Sequence, residues 1–366
     1  MKKKLLVIAV AGALAAPPLV ALAQSSVTIS GKFHASIQNM RYAGTSKNPP
    51  SQVGVNDETS RLIFSVVEDL GQGLKAEGEF HFRARLDESN LAASGNQWVG
   101  LNSAELGRFR IGRLDLHYHR SESDISVRGP GDIDHLSLLS VVSNSSQAAG
   151  GVAIAGLTRT SNVVHYVSPK WSGWDVTLGW SANPLAVEAD INSAVRKGRA
   201  WNVNPHFSRG PWSLGYTYWN QKADANAAAD QKSDRFYGSY VVGGLKVGLV
   251  YDKSKLMAAA GGALTANRTA WSVPATYTFG PHAIHGFYTR ADDDKAVAGA
   301  DGATMFALGY SYDLSKRTSV AVTTGRIRND ANASYVLAGA SSRLGAASIA
   351  AGEDPRTWAF TIRHTF

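Results

Sequence analysis

Cysteine is absent from the 366 residues of this chain. A chain without thiols has no disulfide crosslinks, no thiolate metal ligands and no cysteine nucleophile. The fold must therefore be held by backbone pairing and packing alone, and every enzyme class that depends on a cysteine is excluded.

Long apolar runs are missing beyond residue 23. A membrane-spanning helix needs about 18 or more consecutive apolar residues, and the absence of such a run there excludes a helical membrane protein. The only long apolar run, from Leu5 to Leu22, follows Lys2 to Lys4, ends in small residues and is interrupted by Pro17 and Pro18. This order is typical of a cleaved secretory signal peptide. We expect residues 1–23 to be removed and residues 24–366 to form the mature protein.

The usual sequence motifs of enzymes are lacking too. No Gly-x-Ser-x-Gly motif occurs, and no glycine-rich phosphate loop follows a strand and opens a helix. His117 and His119 form a His-x-His pair, but without a third ligand we interpret them as polar loop residues. Asp292 to Asp294 are interpreted as a solvated acidic loop, because three consecutive side chains do not converge on calcium. We predict no enzymatic activity, no metal site and no cofactor.

Glycine and aromatic residues are plentiful, with 36 Gly, 9 Trp, 13 Tyr and 12 Phe. This composition suits many strands joined by many turns. Seven short turn clusters recur, at Asp69–Gly73, Ala104–Gly107, Pro169–Gly173, Ser208–Pro211, Gly243–Gly244, Gly280–Pro281 and Asp313–Lys316. Most intervals between them hold two strands of about ten residues and one longer loop. With both termini on the rim of the short turns, the pattern predicts sixteen strands in up-and-down order.

The strands alternate between an apolar and a polar face. From Leu74 to Arg85 one face is apolar, and the other carries Lys75, Glu77, Glu79, His81, Arg83 and Arg85. At the end of the chain, apolar residues alternate up to the terminal Phe366. This ending is typical of outer-membrane β-barrels, which must close because lipid offers no partner for an edge strand. We expect the first strand to pair with the last, and a soluble sandwich or propeller is the alternative.

Short strings along nearly the whole mature chain resemble one protein family. They are SVTISGK (26–32), SRLIF (60–64), EDLGQGLK (68–75), VGL (99–101), GRFRIGR (107–113), RTSNVVHY (159–166) and DLSKR (313–317). The set is similar to the trimeric general-diffusion porins of Gram-negative bacteria, most closely the beta-proteobacterial type. The resemblance implies an all-β fold, a 16-stranded antiparallel transmembrane β-barrel whose long third outer loop, here 114–161, folds into the lumen. It also implies a homotrimer in outer-membrane lipid.

The same resemblance implies a basic wall at the narrowest part of the pore. Carried over position by position, its cations are Lys32, Arg61, Arg113 and Arg159. The acidic side would come from the third loop, which lacks the Pro-Glu-Phe-Gly string of some relatives, so its candidates are Glu122, Asp124, Asp132 and Asp134. Strand four has Gly95 where relatives often carry arginine. Further lumen cations are Arg83, Arg85, Arg108 and Arg110. We interpret them as a solvated wall paired with Glu77 and Glu79, and a place in the constriction is the alternative.

The expected function is passive diffusion of small hydrophilic solutes and ions, with a preference for anions. Removing the signal lysines lowers the formal net charge from +8 to +5, which suits an anion-friendly pore and is weak evidence for nucleic acid, so no nucleic-acid partner is expected. Cations that face carboxylates across a narrow aqueous pore create a field that orients dipolar solutes. Three alternatives stay open: a selective channel for small organic anions, a non-conducting structural or adhesive barrel, and an outer-membrane enzyme.

Overall fold

The computed structural model describes residues 25–43, 51–88, 90–93, 95–117, 159–182, 184, 199–222, 230–258, 262–337 and 349–366. Eighteen β-strands provide the regular structure of these ranges. None of the described residues form a helix that is long and apolar enough to cross a membrane. The predicted signal peptide at 1–23 lies outside the described residues.

All the strands belong to one antiparallel sheet. In chain order they are β1 (Ser26–Ala43), β2 (Ser51–Asp57), β3 (Arg61–Gly71), β4 (Leu74–Arg85), β5 (Asn90–Ala92), β6 (Gln97–Ser103), β7 (Gly107–Asp115), β8 (Arg159–Val167), β9 (Trp174–Ser181), β10 (Arg199–Arg209), β11 (Trp212–Lys222), β12 (Asp230–Val242), β13 (Leu245–Met257), β14 (Leu264–Phe279), β15 (His282–Ala291), β16 (Ala303–Asp313), β17 (Thr318–Asn329) and β18 (Asp354–Thr365). Each strand pairs with the strands beside it in the sheet, and β1 also pairs with β18. The sheet is therefore a closed barrel.

The eighteen segments make sixteen barrel strands, because two of those strands are interrupted. The long β1 pairs with β2 over one half and with β3 over the other, so β2 and β3 are one barrel strand broken at 58–60. In the same way β4 pairs with β5 near one end and with β6 near the other, so β5 and β6 are one barrel strand broken at 93–96. The predicted strand number is confirmed, and each of the seven predicted short turns joins two neighbouring strands.

The outward face of the barrel is apolar and the inward face is polar. On β1, Val27 is 69% and Ile29 is 57% exposed, whereas the alternate residues His34 and Ser36 are buried. A soluble sandwich buries its apolar face, since each exposed Å² of apolar surface costs about 25 cal/mol in water. The exposed apolar face excludes that alternative and matches a surface that meets lipid.

The seam between the first and last strands includes the last residue of the chain. The backbone N of Gly31 donates to the carbonyl O of Phe366 (3.0 Å), and the N of Phe366 donates to the O of Gly31 (3.2 Å). The rings of Phe33 and Phe366 lie 5.1 Å apart. The predicted pairing of the two ends of the chain is confirmed, and it continues to the terminal Phe.

The seam has no room for a side chain at Gly31, which gives a first prediction. A Cβ there would overlap the carbonyl O of Arg61 and approach the ring of Phe366 to 2.8 Å. We expect Gly31→Ala to lower the free energy of unfolding by about 1–3 kcal/mol, as overpacking does. Urea unfolding of the refolded barrel in lipid vesicles measures the change.

Gly78 on β4 offers a matched control, because the nearest atom to a Cβ there is the carbonyl O of Trp98 at 3.5 Å. Gly78→Ala should leave the unfolding free energy nearly unchanged. Equal loss in both variants would show that glycine matters in this barrel for some reason other than the tight seam.

Candidate functional site

Three cations form one row on the inward face of neighbouring strands. Lys32 on β1 lies directly opposite Arg61 on β3, and Arg61 lies directly opposite Arg83 on β4. Residues opposed in this way have Cβ atoms about 5 Å apart, and like charges in such pairs repel. The row therefore concentrates positive charge at one level of the lumen wall.

Residues at the break between β2 and β3 hold this row in place. Lys32 Nζ donates to Thr59 Oγ1 (2.7 Å) and lies 3.5 Å from the carbonyl O of Glu58. Arg61 Nε donates to the carbonyl O of Thr59 (3.4 Å). The carboxylate of Asp57 accepts the backbone N–H groups of Thr59 and Ser60, which fixes the turn. The strand break thus provides oxygen atoms for two of the three cations.

A second charged group lies nearer the short turns. The carboxylate of Glu77 accepts Nη2 (2.5 Å) and Nε (2.8 Å) of Arg108, and also Nδ2 of Asn102 (2.8 Å). The guanidinium groups of Arg108 and Arg110 lie 5.6 Å and 4.9 Å from the centre of the Trp98 ring. Arg108 is therefore neutralised by a carboxylate, whereas Arg110 stacks on an aromatic ring.

The expected pairing of all four further arginines with Glu77 and Glu79 is wrong for Arg85. Arg85 Nη1 contacts Glu88 Oε2 at 3.3 Å. Arg85 lies six positions after Glu79 on the same strand, a distance of about 20 Å, while Glu88 is close by in the following turn. Glu79 accepts the indole N–H of Trp98 (3.1 Å) and contacts His81 Nε2 (2.9 Å).

Arg113 and Arg159 lie together, apart from the row on β1, β3 and β4. Arg159 Nε donates to Asp115 Oδ1 (3.1 Å), and Arg113 Nη1 donates to Ser161 Oγ (3.3 Å). A bulge shifts the β7–β8 register between Gly112 and Leu114, so the simple alternation that places Arg108 and Arg110 in the lumen ends at Gly112. The four cations implied by the resemblance thus form two pairs of neighbours.

Steric constraints explain why Gly95 is a glycine. A Cβ on Gly95 would overlap the Cβ of His81, and the backbone N of Gly95 donates to the carbonyl O of His81 (3.2 Å). A larger residue would separate the two segments at this break. The position where relatives often carry arginine therefore has no space for one here.

Water reaches the two sides of the lumen unequally. The side chains of Arg108 and Arg85 are 39% and 36% exposed. On the opposite wall Arg235 is 0% exposed and bound to Asp252 (2.8 Å), and Arg268 is 2% exposed and bound to Asp301 (2.9 Å). No local pattern in the sequence indicates these buried pairs. The hydrated part of the lumen lies along the wall that carries the unburied cations.

The first residues of the long third loop lie inside the barrel. His117 Nδ1 is 2.8 Å from Oγ1 of Thr217, and its ring centre is 6.1 Å from that of Trp219. Leu116 packs in the same buried cluster as Trp219. His117 lies in the loop after β7, as interpreted, but it is fully buried, which was not predicted. His119 and the four acidic candidates Glu122, Asp124, Asp132 and Asp134 lie outside the described residues.

The described residues of the eighth outer loop, which joins β17 to β18, also pack on the inside of the barrel, and this placement was not predicted. Tyr335, Val336 and Leu337 are buried with Met305 and Ile327, which face inward. The side chain of Asn329 holds this segment, accepting the N–H of Tyr335 (3.0 Å) and donating to its carbonyl O (2.9 Å). The only signal in the sequence is an apolar triplet in a loop of small residues.

The burial of His117 gives a prediction about pH. Burial, with a smaller contribution from Arg235, holds the pKa of His117 well below its ordinary value of 6.5. A released loop regains the ordinary pKa, so below pH 6.5 the released state binds a proton that the packed state does not. Packing of the loop should weaken as pH falls from about 8 to about 5, by up to about tenfold per pH unit below 6.5.

Hydrogen exchange of the segment containing Leu116 and His117, corrected for the intrinsic effect of pH, measures this release. His117→Gln keeps a polar group near Thr217 but does not titrate, and its protection should stay constant over the same range. The same pH response in both proteins would assign the effect to another group.

Comparison with known proteins agrees with the barrel and its lumen. The family model described as Gram-negative porin matches residues 9–332. Outer membrane porin protein 32 of Delftia acidovorans is 27% identical over 100% of both chains. The major outer membrane protein P.IB of Neisseria gonorrhoeae is 23% identical over 93% of this chain and 98% of its own.

Two solved structures show the same fold. An anion-selective porin from Comamonas acidovorans has a TM-score of 0.76 and 22% identity, covering 94% of this chain and 100% of that one. OmpT of Vibrio cholerae in its trimer form has a TM-score of 0.65 and 14% identity, covering 93% and 99%. Because the family model spans most of the sequence, this chain belongs to the Gram-negative porin family.

Proposed function

We propose that this porin prefers anions and that the row formed by Lys32, Arg61 and Arg83 is the main source of the preference. Membership of the family makes the chain an outer-membrane channel for passive diffusion of small solutes, and not an enzyme. The observation that carries the proposal is the unequal hydration of the lumen. Lys32, Arg61 and Arg83 are only partly buried, whereas Arg235 and Arg268 of the opposite wall are buried in ion pairs.

The electrostatic argument rests on distance and screening. The Debye length is about 8 Å at physiological ionic strength, so cations on one wall still act on an ion that passes within several ångströms. Of the cations near this wall, Arg108 binds the carboxylate of Glu77, and Lys32, Arg61 and Arg83 are three directly opposed cations on neighbouring strands. The net field on a passing solute is positive, which favours anions. The similar porin from Comamonas acidovorans is described as anion-selective, which supports the same preference here.

The remaining parts of the proposal concern the narrowing and the assembly. We infer that the loop at 114–161 narrows the lumen, that Arg113 and Arg159 join the basic wall, and that loop carboxylates face it. The burial of Leu116 and His117 inside the barrel supports the first of these. We also infer a homotrimer, a state that the structurally similar OmpT adopts.

The row can be tested by its effect on ion selectivity. Planar-bilayer recordings of refolded protein under a salt gradient should give a reversal potential close to that of chloride. Arg61→Gln with Arg83→Gln should move this potential most of the way toward zero, because two of the three row charges are lost. Glu77→Gln should move it the other way, since Arg108 is then no longer neutralised.

A matched control removes the same charge from the outward face. Lys232 and Lys253 lie on β12 and β13 with exposed side chains, and replacing both with Gln should leave the reversal potential unchanged. A cation-selective wild type, or equal shifts in the row and control variants, would contradict the proposal. Absence of stepwise currents from a folded barrel would contradict the channel itself.

The eighth loop should limit conductance as well. Replacing Tyr335 and Leu337 with Ser removes the apolar contacts that hold the loop on the lumen wall, and single-channel conductance should rise. Val297→Ser, at an exposed position of the seventh loop, serves as the control and should change nothing. An unchanged conductance in the Tyr335 and Leu337 variant would mean that this loop does not obstruct the path of the ions.

A further inference from the structure

The interruption between β2 and β3 contains a residue in an unusual backbone conformation. Thr59 has a φ of 71°, in the left-handed region, where a β-branched residue is a genuine outlier. Among the described residues it is the only β-branched residue with a positive φ. It is 2% exposed, in a segment from Asp57 to Ser60 that is buried throughout. A conformation of this kind persists only where its surroundings impose it, and such residues cluster at functional sites.

The carboxylate of Asp57 imposes this conformation. Its Oδ2 accepts the backbone N–H of Thr59 (3.0 Å), and both of its oxygens lie 3.2 Å from the backbone N of Ser60. Residues 58–60 have left the pairing of β2 and β3 with β1, so these two N–H groups need another acceptor inside the barrel wall. One carboxylate serves both groups, and it closes the turn around Thr59.

This turn fixes the positions of two cations of the row. Thr59 Oγ1 accepts Lys32 Nζ (2.7 Å), and the carbonyl O of Thr59 accepts Arg61 Nε (3.4 Å), so one residue provides acceptors for cations on two strands. Rotation of Thr59 to an ordinary strand conformation would carry both acceptors away from the row. The placement of two charges in the lumen therefore depends on Asp57, through Thr59.

We propose that Asp57 is a positioning residue for anion selectivity, which acts by holding Thr59 and, through it, Lys32 and Arg61. This inference rests on the proposed function of the row. It gives the carboxylate a role opposite to that of its charge. A negative charge beside the row lowers the positive field that a passing ion experiences, whereas the turn that this carboxylate closes keeps that field in place.

Asp57→Asn separates the two effects by the sign of the result. The variant keeps the size of the side chain and one acceptor oxygen, but its amide nitrogen cannot accept the second N–H. If Asp57 acted only through its charge, the reversal potential in planar bilayers under a salt gradient would move closer to that of chloride. We expect it to move toward zero instead, as in Arg61→Gln with Arg83→Gln but by a smaller amount, because the row charges remain present but are no longer held.

Two substitutions of Thr59 test the same step without a change of charge. Thr59→Val removes the oxygen that accepts Lys32 Nζ and keeps the shape of the side chain, so the reversal potential should again move toward zero. Thr59→Ser keeps the hydroxyl group and should retain the wild-type potential. A role in stability alone would leave the potential of the folded channel unchanged in both variants.

Asp69→Asn is the matched control, because Asp69 lies on β3 and its Oδ1 accepts the backbone N–H of Gly71 (2.9 Å) at a short turn. It lies eight positions after Arg61, about 27 Å along the strand, which is well beyond the Debye length of about 8 Å. The same charge is lost, and the reversal potential should equal that of the wild type.

Three results would overturn the proposal. The first is a potential of Asp57→Asn that moves toward that of chloride or does not move, the second is equal potentials in Thr59→Val and the wild type, and the third is an equal shift in Asp69→Asn. Failure of the proposed function is a different result, since the Arg61 and Arg83 variant would then leave the potential unchanged. The change in electrophoretic mobility on heating identifies folded barrels, and if Asp57→Asn does not fold, the two Thr59 variants decide the proposal.

Discussion

Every other feature of this porin depends on the requirement that backbone groups pair within the sheet, because lipid offers them no partner. The requirement makes the sheet close, and closure brings Gly31 and Phe366 into a direct backbone pair. Because the outward face that meets lipid must be apolar, charged residues can lie only in the lumen or at the two rims of the barrel. On β1, the inward residue Lys32 and the outward residue Arg41, near the end of the strand, are examples of these two solutions.

The barrel could be predicted from the sequence because its signals are local. Short turns depend on residues that adopt positive φ, such as Gly73 (φ 76°) and Gly107 (φ 86°), and a strand shows its two faces in any run of ten residues. The interruptions at 58–60 and 93–96 were not predictable in this way. The first depends on the carboxylate of Asp57 and on Lys32 of the neighbouring strand, and the second on close approach to His81.

The site was predictable only in part, for the same physical reason. Alternation alone assigns Lys75, Glu77 and Arg83 to the lumen, but the partner of each charge depends on the lateral register of strands far apart in sequence. Arg108 on β7 forms an ion pair with Glu77 on β4, across β6. Arg85 instead forms an ion pair with Glu88 in the turn that follows β4. The packing of Tyr335 against a wall that includes Met40 joins opposite ends of the chain, and no pattern within either segment indicates it.

Charge in this lumen has two physically separate uses. Arg235 and Asp252 are removed from water, and breaking such a pair leaves a buried charge at a cost of about 3–5 kcal/mol, so these groups fix the shape of one wall. Lys32 and Arg61 are only partly buried, and in the proposed function a passing ion experiences their charge. Selectivity can therefore change at the hydrated wall with little effect on stability, because the paired wall and the closed sheet hold the barrel together without it.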